Sequence, residues 1–241
     1  MRLGLQKIIA GMAMAVVCAV LGTGFTVIRD GYDLYQAAVE TQSLDDKIGE
    51  IQSREGYTEI DALPETYLDA VVSVEDHRFY KHNGLDFIAI GRAVINDLKA
   101  GSFVEGGSTI TQQLAKNLYF SQEKKMERKI AEVFAAFDLE EQYSKDEILE
   151  LYVNSIYFGD GYQNVGQASE GYFGKEPAEM TTYESTLLAG VPNAPSRYAP
   201  TKNPQLAEKR QKQVLRRMEA CGCFSREEAE TVAAQMVAFA E

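Results

Sequence analysis

"VSVEDHRFYKHNGLD", residues Val72 to Asp86, holds both histidines of the 241-residue chain beside two adjacent carboxylates, Glu75 and Asp76. On a helix, Leu68, Val71, Val72, Glu75 and Phe79 fall at i, i+3, i+4, i+7 and i+11, a single face. Glu75 therefore interrupts a hydrophobic stripe. A carboxylate is costly to ionise there, which is one way a catalytic acid or base is made. The plainer alternative is a boundary glutamate leaning into solvent, and this stretch alone leaves both open. A two-histidine metal site fits poorly. His77 and His82 lie about 140° apart around a helix, whereas a shared metal prefers i, i+4 spacing. His82 with Asn83-Gly84 reads instead as the close of the helix.

Outward from that stretch, helical signals dominate. Ser144-x-x-Glu147 and Ser225-x-x-Glu228 read as capping boxes, and Asn203-Pro204 as an N-cap with proline at the first helical position. Alternating β-branched patterns are scarce, so the expected class is mainly α. Gly101–Ser108 and Gly159–Gly166 interrupt the helices as loops. At the N-terminus, Ile8 to Ile28 runs 21 residues without a charge, long enough to span a bilayer core of about 30 Å. A cleaved signal peptide fits less well, because the apolar run is long and no A-x-A site follows. Arg2 and Lys7 precede the run, which places the N-terminus in the cytoplasm and the domain outside. The expected organisation is a cytoplasmic end (1–7), a transmembrane anchor (8–28), a polar juxtamembrane stalk (29–62), a core (63–204) and C-terminal helices (205–241).

The net charge is −12, from 24 basic and 36 acidic residues. Arg2, Lys7 and Arg29 are the only charged residues before Asp30, so the exterior part holds 21 basic and 36 acidic groups, a net −15. Such a domain does not bind nucleic acid through a general field. A basic cluster within it needs a local reason, and one exists. Between Lys116 and Lys129, five basic residues (Lys116, Lys124, Lys125, Arg128, Lys129) face two acidic ones, a local +3. It reads as a solvated helix face or as an anion site. On the helix carrying it, Ile130, Val133, Phe134 and Phe137 make an apolar face. Arg128 and Glu132, i, i+4 partners, share the opposite side with Ala135, Ala136 and Leu139, so that side is also expected to be covered. Just before lies "GGSTITQQLAKN", Gly106 to Asn117, whose paired glycines and neutral polar groups suit a close-approaching ligand. It reads equally as a polar loop entering a helix. Cys18, Cys221 and Cys223 form no disulfide framework, and a lone C-x-C is neither a relaxed disulfide nor a zinc site.

"EDHRFYKHNG", "GGSTITQQLAKN", "RKIAE", "EILELYVNSIYFGDGYQNVGQAS" and "LAGVPNAPSRYAP" occur in that order. Together they resemble the successive motifs of the peptidoglycan glycosyltransferases (family 51), the transglycosylase module of class A penicillin-binding proteins and their monofunctional relatives. The resemblance covers about Leu63 to Pro204. It implies a lysozyme-like, mainly α fold with a small membrane-proximal lobe, preceded by one N-terminal transmembrane helix. It places Glu75 on the family's catalytic glutamate and Glu132 on its second one. Substrate-binding positions fall on Asp76, Phe79, Gly107, Ser108, Thr109, Gln112, Gln113, Lys116, Asn117, Lys124, Arg128 and Asn154, with Lys116, Lys124 and Arg128 on the pyrophosphate. Lys124 departs from the family, where arginine is common and makes a bidentate contact that lysine cannot.

The implied reaction polymerises lipid II into β-1,4-linked glycan at the outer face of a bacterial cell membrane, with inversion and release of undecaprenyl pyrophosphate. Implied partners are lipid II, the growing glycan chain, the membrane, moenomycin-type inhibitors, transpeptidases and cell-wall synthesis complexes. A divalent cation, Mg or Mn, is the one cofactor expected, at the pyrophosphate. A monofunctional enzyme is expected, since the length leaves no room for a transpeptidase and Ser121-Gln-Glu-Lys124 has no S-D-N or K-T-G after it. Two rival readings stand beside this one. A lysozyme-like lytic hydrolase or transglycosylase needs the glutamate but not a pyrophosphate cluster, and a non-enzymatic membrane scaffold needs neither.

Overall fold

A computed structural model describes residues 24–101, 107–121, 123 and 125–235, and no β-strand occurs among them. The span expected at 8–28 lies largely outside the described residues, as do Gly106 and Lys124. No helix among the described residues is long and apolar enough to cross a membrane. In chain order the helices are α1 (24–41), α2 (Leu44–Gln52), α3 (Glu65–Glu75), α4 (Phe87–Ala100), α5 (Ile110–Tyr119), α6 (Met126–Gln142), α7 (Lys145–Val153), α8 (Val165–Phe173), α9 (Thr182–Leu188), α10 (Pro195–Tyr198), α11 (Pro204–Cys221) and α12 (Arg226–Ala233).

Local chemistry sets the helix starts. Capping boxes form at Ser144/Glu147 and Ser225/Glu228 as expected, and also at Thr109/Gln112 and Thr181/Glu184. Each satisfies two of the four N–H groups a helix start leaves without partners. α11 begins on Pro204 as expected, but Asn203 makes no side-chain cap. α5 lies at the centre, packed on α6 and α7, and α11 packs on α3 and α9. Ile110, Leu114, Leu139, Ile148 and Leu149 are fully buried between them, each stabilising by roughly 1.5–3 kcal/mol relative to exposure.

Three expectations are corrected. The helix of the opening stretch stops at Glu75, where Asp76 leaves helical geometry (φ −158°, ψ 75°). Phe79 follows in a short 3-10 turn, Phe79–Lys81, and His82 lies after that turn rather than at the end of α3. On α6 the side shared by Arg128 and Glu132 is covered as expected, but Phe137 of the apolar face is not. Ala131, Glu132, Ala135, Ala136 and Leu139 are buried, whereas Phe137 is exposed. Small side chains on the covered side let α5 approach closely. The aromatic face is met by α1 instead: Tyr35 stacks on Phe134 and Tyr32 packs edge-on to it. Gly31 lies where a Cβ would stand 2.6 Å from Ile130.

Residues 29–62 are accordingly packed onto the domain rather than standing off as a stalk. Leu44, Ile48 and Ile51 are buried, and the Asn154 side chain staples the strand-like backbone at Thr58. Its Oδ1 accepts from the Thr58 N–H at 2.9 Å, and its Nδ2 donates to the Thr58 carbonyl at 2.8 Å. α4, by contrast, turns an apolar face outward: Phe87 is 75 % exposed and Leu98 78 %, with Ile88 and Ile95 beside them.

Asn154→Ala leaves both Thr58 main-chain groups without partners in a buried place, a loss of about 2–4 kcal/mol. Urea denaturation should show that loss. An unchanged midpoint would mean that the staple does not hold the N-terminal segment.

Candidate active site

Asp76, just past the end of α3, accepts from His82 Nε2 at 2.9 and 3.1 Å on its two oxygens, and from the Ile110 N–H at 3.1 Å. The carboxylate therefore joins the end of α3 to the first residue of α5. That joint sets Glu75 beside Gln113, one turn into α5. Gln113 Nε2 donates to Glu75 Oε2 at 3.0 Å, and the Tyr152 hydroxyl donates to Gln113 Oε1 at 3.3 Å. Burial, reinforced by nearby Glu75, holds the Tyr152 pKa well above its usual value, so this phenol remains a donor. The Gln113 amide is thereby oriented with its N–H toward Glu75.

On the other side, Arg210 of α11 brings Nη2 to 3.8 Å from Glu75 Oε1, with 12 % and 13 % of the two side chains exposed. Arg210 is itself held by Gln213 (3.0 Å) and the Gly190 carbonyl (3.4 Å). Glu75 faces a cleft of about 480 Å³ whose walls include Ser73, His77, Arg92, Ser108, Arg216 and Arg217. Burial, then Arg92 and Arg217 nearby, lower the His77 pKa and favour its neutral form.

The second glutamate is enclosed. Glu132, 1 % exposed, is paired on one oxygen with Arg128 and on the other with Lys129 Nζ at 2.8 Å. Lys129 also donates to Ser108 Oγ at 2.8 Å, tying α6 to the start of α5. Burial, then Arg128 and Lys116 nearby, lower the Lys129 pKa to about 8. Lys116 is lowered in the same way by burial and Arg128, and raised by Glu75. Lys116, Arg128 and Lys129 thus lie within electrostatic reach of one another, with Lys116 also within reach of Glu75.

The residues expected to bind substrate divide into two groups. Glu75, Ser108, Gln113, Lys116, Arg128 and Glu132 come together around the cleft and the cationic cluster. Asp76 lines the cleft, but its oxygens are engaged as described. Phe79 is fully buried, with Lys145 Nζ 4.4 Å above its ring. Thr109 and Gln112 are spent on the α5 cap, Thr109 also donating to the Gly84 carbonyl at 2.6 Å. Gly107 sits against Ile90 and Ala93 of α4, and Asn117 is exposed on α5. Asn154 is committed to Thr58. Sequence reasoning missed Lys129 as a partner of Glu132, and the arginines of α11 altogether. The signal for the latter was "KRQKQVLRR", Lys209 to Arg217, a basic run in an acidic domain.

A family model described as transglycosylase matches residues 44–219. The chain belongs to the transglycosylase family. Among curated relatives, penicillin-binding protein 1F of Bacillus subtilis (strain 168) is 45% identical over 172 residues, 71% of this chain and 24% of the relative. Penicillin-binding protein 1A of Aquifex aeolicus (strain VF5) is 46% identical over 162 residues, 67% and 22% of the two chains. This transglycosylase chain therefore spans about a quarter of the length of the curated relatives it matches. A crystal structure of penicillin-binding protein 1A from Haemophilus influenzae aligns with 79% of this chain and 19% of its own, at 22% identity and a TM-score of 0.48. The family match extends through most of α11, past the boundary expected at 204, and a mainly helical chain fits a transglycosylase domain.

Among the described residues no group of three or more His, Cys, Asp or Glu side chains is placed to hold a metal ion. Glu132 is closed by two cations, Asp76 by His82 and Ile110, and Glu75 by Gln113 and Arg210. Cys221 and Cys223 are free and exposed.

Glu132→Gln removes the buried counter-charge between Arg128 and Lys129. It should destabilise the domain by about 3 kcal/mol, the usual scale for breaking a buried pair. Denaturant titration is the check, and a change below about 1 kcal/mol would show that the cluster stands without Glu132.

Proposed function

We propose that this chain is a membrane-anchored peptidoglycan glycosyltransferase that polymerises lipid II into β-1,4-linked glycan strands. The observation that carries the reading is the position of Glu75. Its carboxylate stands in a cleft, oriented by Gln113, with Lys116 of α5 within electrostatic reach and Arg128 and Lys129 of α6 within reach of Lys116. Family membership supports the same chemistry, and the outward apolar face of α4 supports a catalytic domain that works against a bilayer. Residues 8–28 would supply the single-pass anchor, with the domain outside the cytoplasmic membrane.

In the proposed reaction, Glu75 accepts the proton of the acceptor sugar's 4-hydroxyl. The oxygen attacks C1 of the lipid-linked donor from the face opposite its leaving group, and the C1–O bond to pyrophosphate breaks. The configuration at C1 inverts, and the proton stays on Glu75 until solvent removes it. Pyrophosphate departs as an anion, so it needs positive charge rather than a proton donor. Lys116, Arg128 and Lys129 are placed to supply that charge, and Lys124 joins them on the strength of the motif. Glu132 holds Arg128 and Lys129 in position. A lytic enzyme acting on finished glycan, which carries no pyrophosphate, would have no leaving group for this cluster to hold, which favours the polymerase over that rival.

Incubation with labelled lipid II tests the reading: a muramidase-sensitive polymer is expected, and its absence would overturn it. Lys116→Ala should weaken both lipid II and moenomycin-type phosphoglycolipids by roughly 10- to 150-fold, the loss of a charge-assisted bond of about 1.5–3 kcal/mol. Calorimetry beside polymerisation rates reads both. Normal binding by the variant would place the pyrophosphate elsewhere.

The pH dependence follows from Lys129. Protonated below about 8, it contributes its charge at neutral pH and loses it as pH rises through that value. Phosphoglycolipid affinity should therefore fall between pH 7 and 9.5. An affinity that is flat across this window would remove Lys129 from the anion site.

A further inference from the structure

The cleft has a second cationic wall, separate from the α5–α6 cluster. On α11, Arg210, Gln213 and Arg217 recur at i, i+3 and i+7, one helix face, and Arg216 lies beside them; all four line the cleft that holds Glu75. The buried seat of α11 is made by other residues. α11 is seated by Ala207, Gln211, Val214, Leu215 and Met218, which are buried, while Arg216 and Arg217 are exposed at the rim. Their charge also runs against the chain, whose overall balance is −12.

Glu75 stands between the two walls. Gln113 of α5 approaches one carboxylate oxygen at 3.0 Å, and Arg210 of α11 approaches the other at 3.8 Å. A substrate with its pyrophosphate on the α5–α6 side and its reacting sugar at Glu75 has only its distal parts left to meet α11. Those parts are further sugars, which are uncharged, and the peptide on the lactyl group, which carries carboxylates. Guanidinium forks match carboxylates in shape and charge.

We propose that Arg216 and Arg217, on the rim of α11, form a binding site for the carboxylates of the stem peptide of the lipid-linked sugar substrate. The proposal rests on the polymerase reading above and names the part of the substrate that α11 recognises. Arg210 sits deeper and orients toward Glu75, so the rim pair carries the peptide contact. The contact is solvent-facing, so it adds discrimination more than tight binding.

The test uses the full chain in detergent and two substrates: lipid II with free peptide carboxylates, and the same molecule with those carboxylates amidated. Wild type should show a KM about three- to tenfold lower for the free-carboxylate form, the scale of two partly exposed charged contacts. Arg216→Gln/Arg217→Gln should erase that preference, and Arg216→Lys/Arg217→Lys should restore part of it. Added salt should shrink the preference in wild type but not in the Gln variant. Three results would overturn the proposal: no preference in wild type, a preference that survives in the Gln variant, or a Gln variant whose KM rises equally on both substrates. The last would assign the arginines to the pyrophosphate that both molecules share. Polymer from both substrates without discrimination sinks this proposal alone, whereas no polymer from either sinks the polymerase reading with it.

Discussion

The geometry of the site depends on one buried carboxylate, that of Asp76. By accepting from His82 and from the Ile110 N–H it pulls the chain out of helix immediately after Glu75 and fixes the first turn of α5 against that break. Hydrogen bonds to a charged acceptor are worth about 1.5–3 kcal/mol each. That is enough to outweigh the tendency of Leu68 to Phe79 to continue as one helical stripe. Had the stripe continued, Glu75 would lie in mid-helix against the core. As it is, Glu75 is the last residue of α3 and looks into a cleft, and Gln113 is delivered to it by the same joint.

The second constraint is the handling of positive charge inside a negatively charged protein. Glu132 is buried with Arg128 and Lys129 on its two oxygens, which leaves the cluster with more cationic than anionic groups once Lys116 is counted. Isolated buried charges are expensive, so such an excess persists only where an anionic ligand completes it or the surrounding protein compensates. The depressed pKa of Lys129 registers that cost. α11 places two more arginines, Arg216 and Arg217, at the exposed rim of the same cleft. The rim pair and the Glu132 cluster differ in exposure, which is what the proposed division between stem peptide and leaving group requires.

Much of this was legible in the sequence. The helical class, two capping boxes and the Arg128–Glu132 pair follow from spacing and residue chemistry that act within a few residues. What escaped depends on contacts distant in the chain. The exposure of Phe137 on α6 could not be read from hydrophobicity, because the aromatic face is covered only where α1 reaches it, at Phe134. Residues 29–62 looked like a polar stalk since their few apolar side chains, Tyr35, Leu44, Ile48 and Ile51, are spread among charges, yet those few are the ones that dock. Asn154 and Thr109 carried the right chemistry for ligands, but main-chain groups far away in sequence claim them first. The arginines of α11 were visible as a basic run, and only the fold places them over Glu75.

The account stands on Glu75 as the proton acceptor, and exchange of Glu75 for glutamine tests that most directly. Glu75→Gln keeps the side chain's shape, so it should bind lipid II with close to wild-type affinity while single-turnover glycan synthesis falls by about two or more orders of magnitude. A variant that polymerises at near wild-type rate would contradict the account and send the search for the base elsewhere in the cleft.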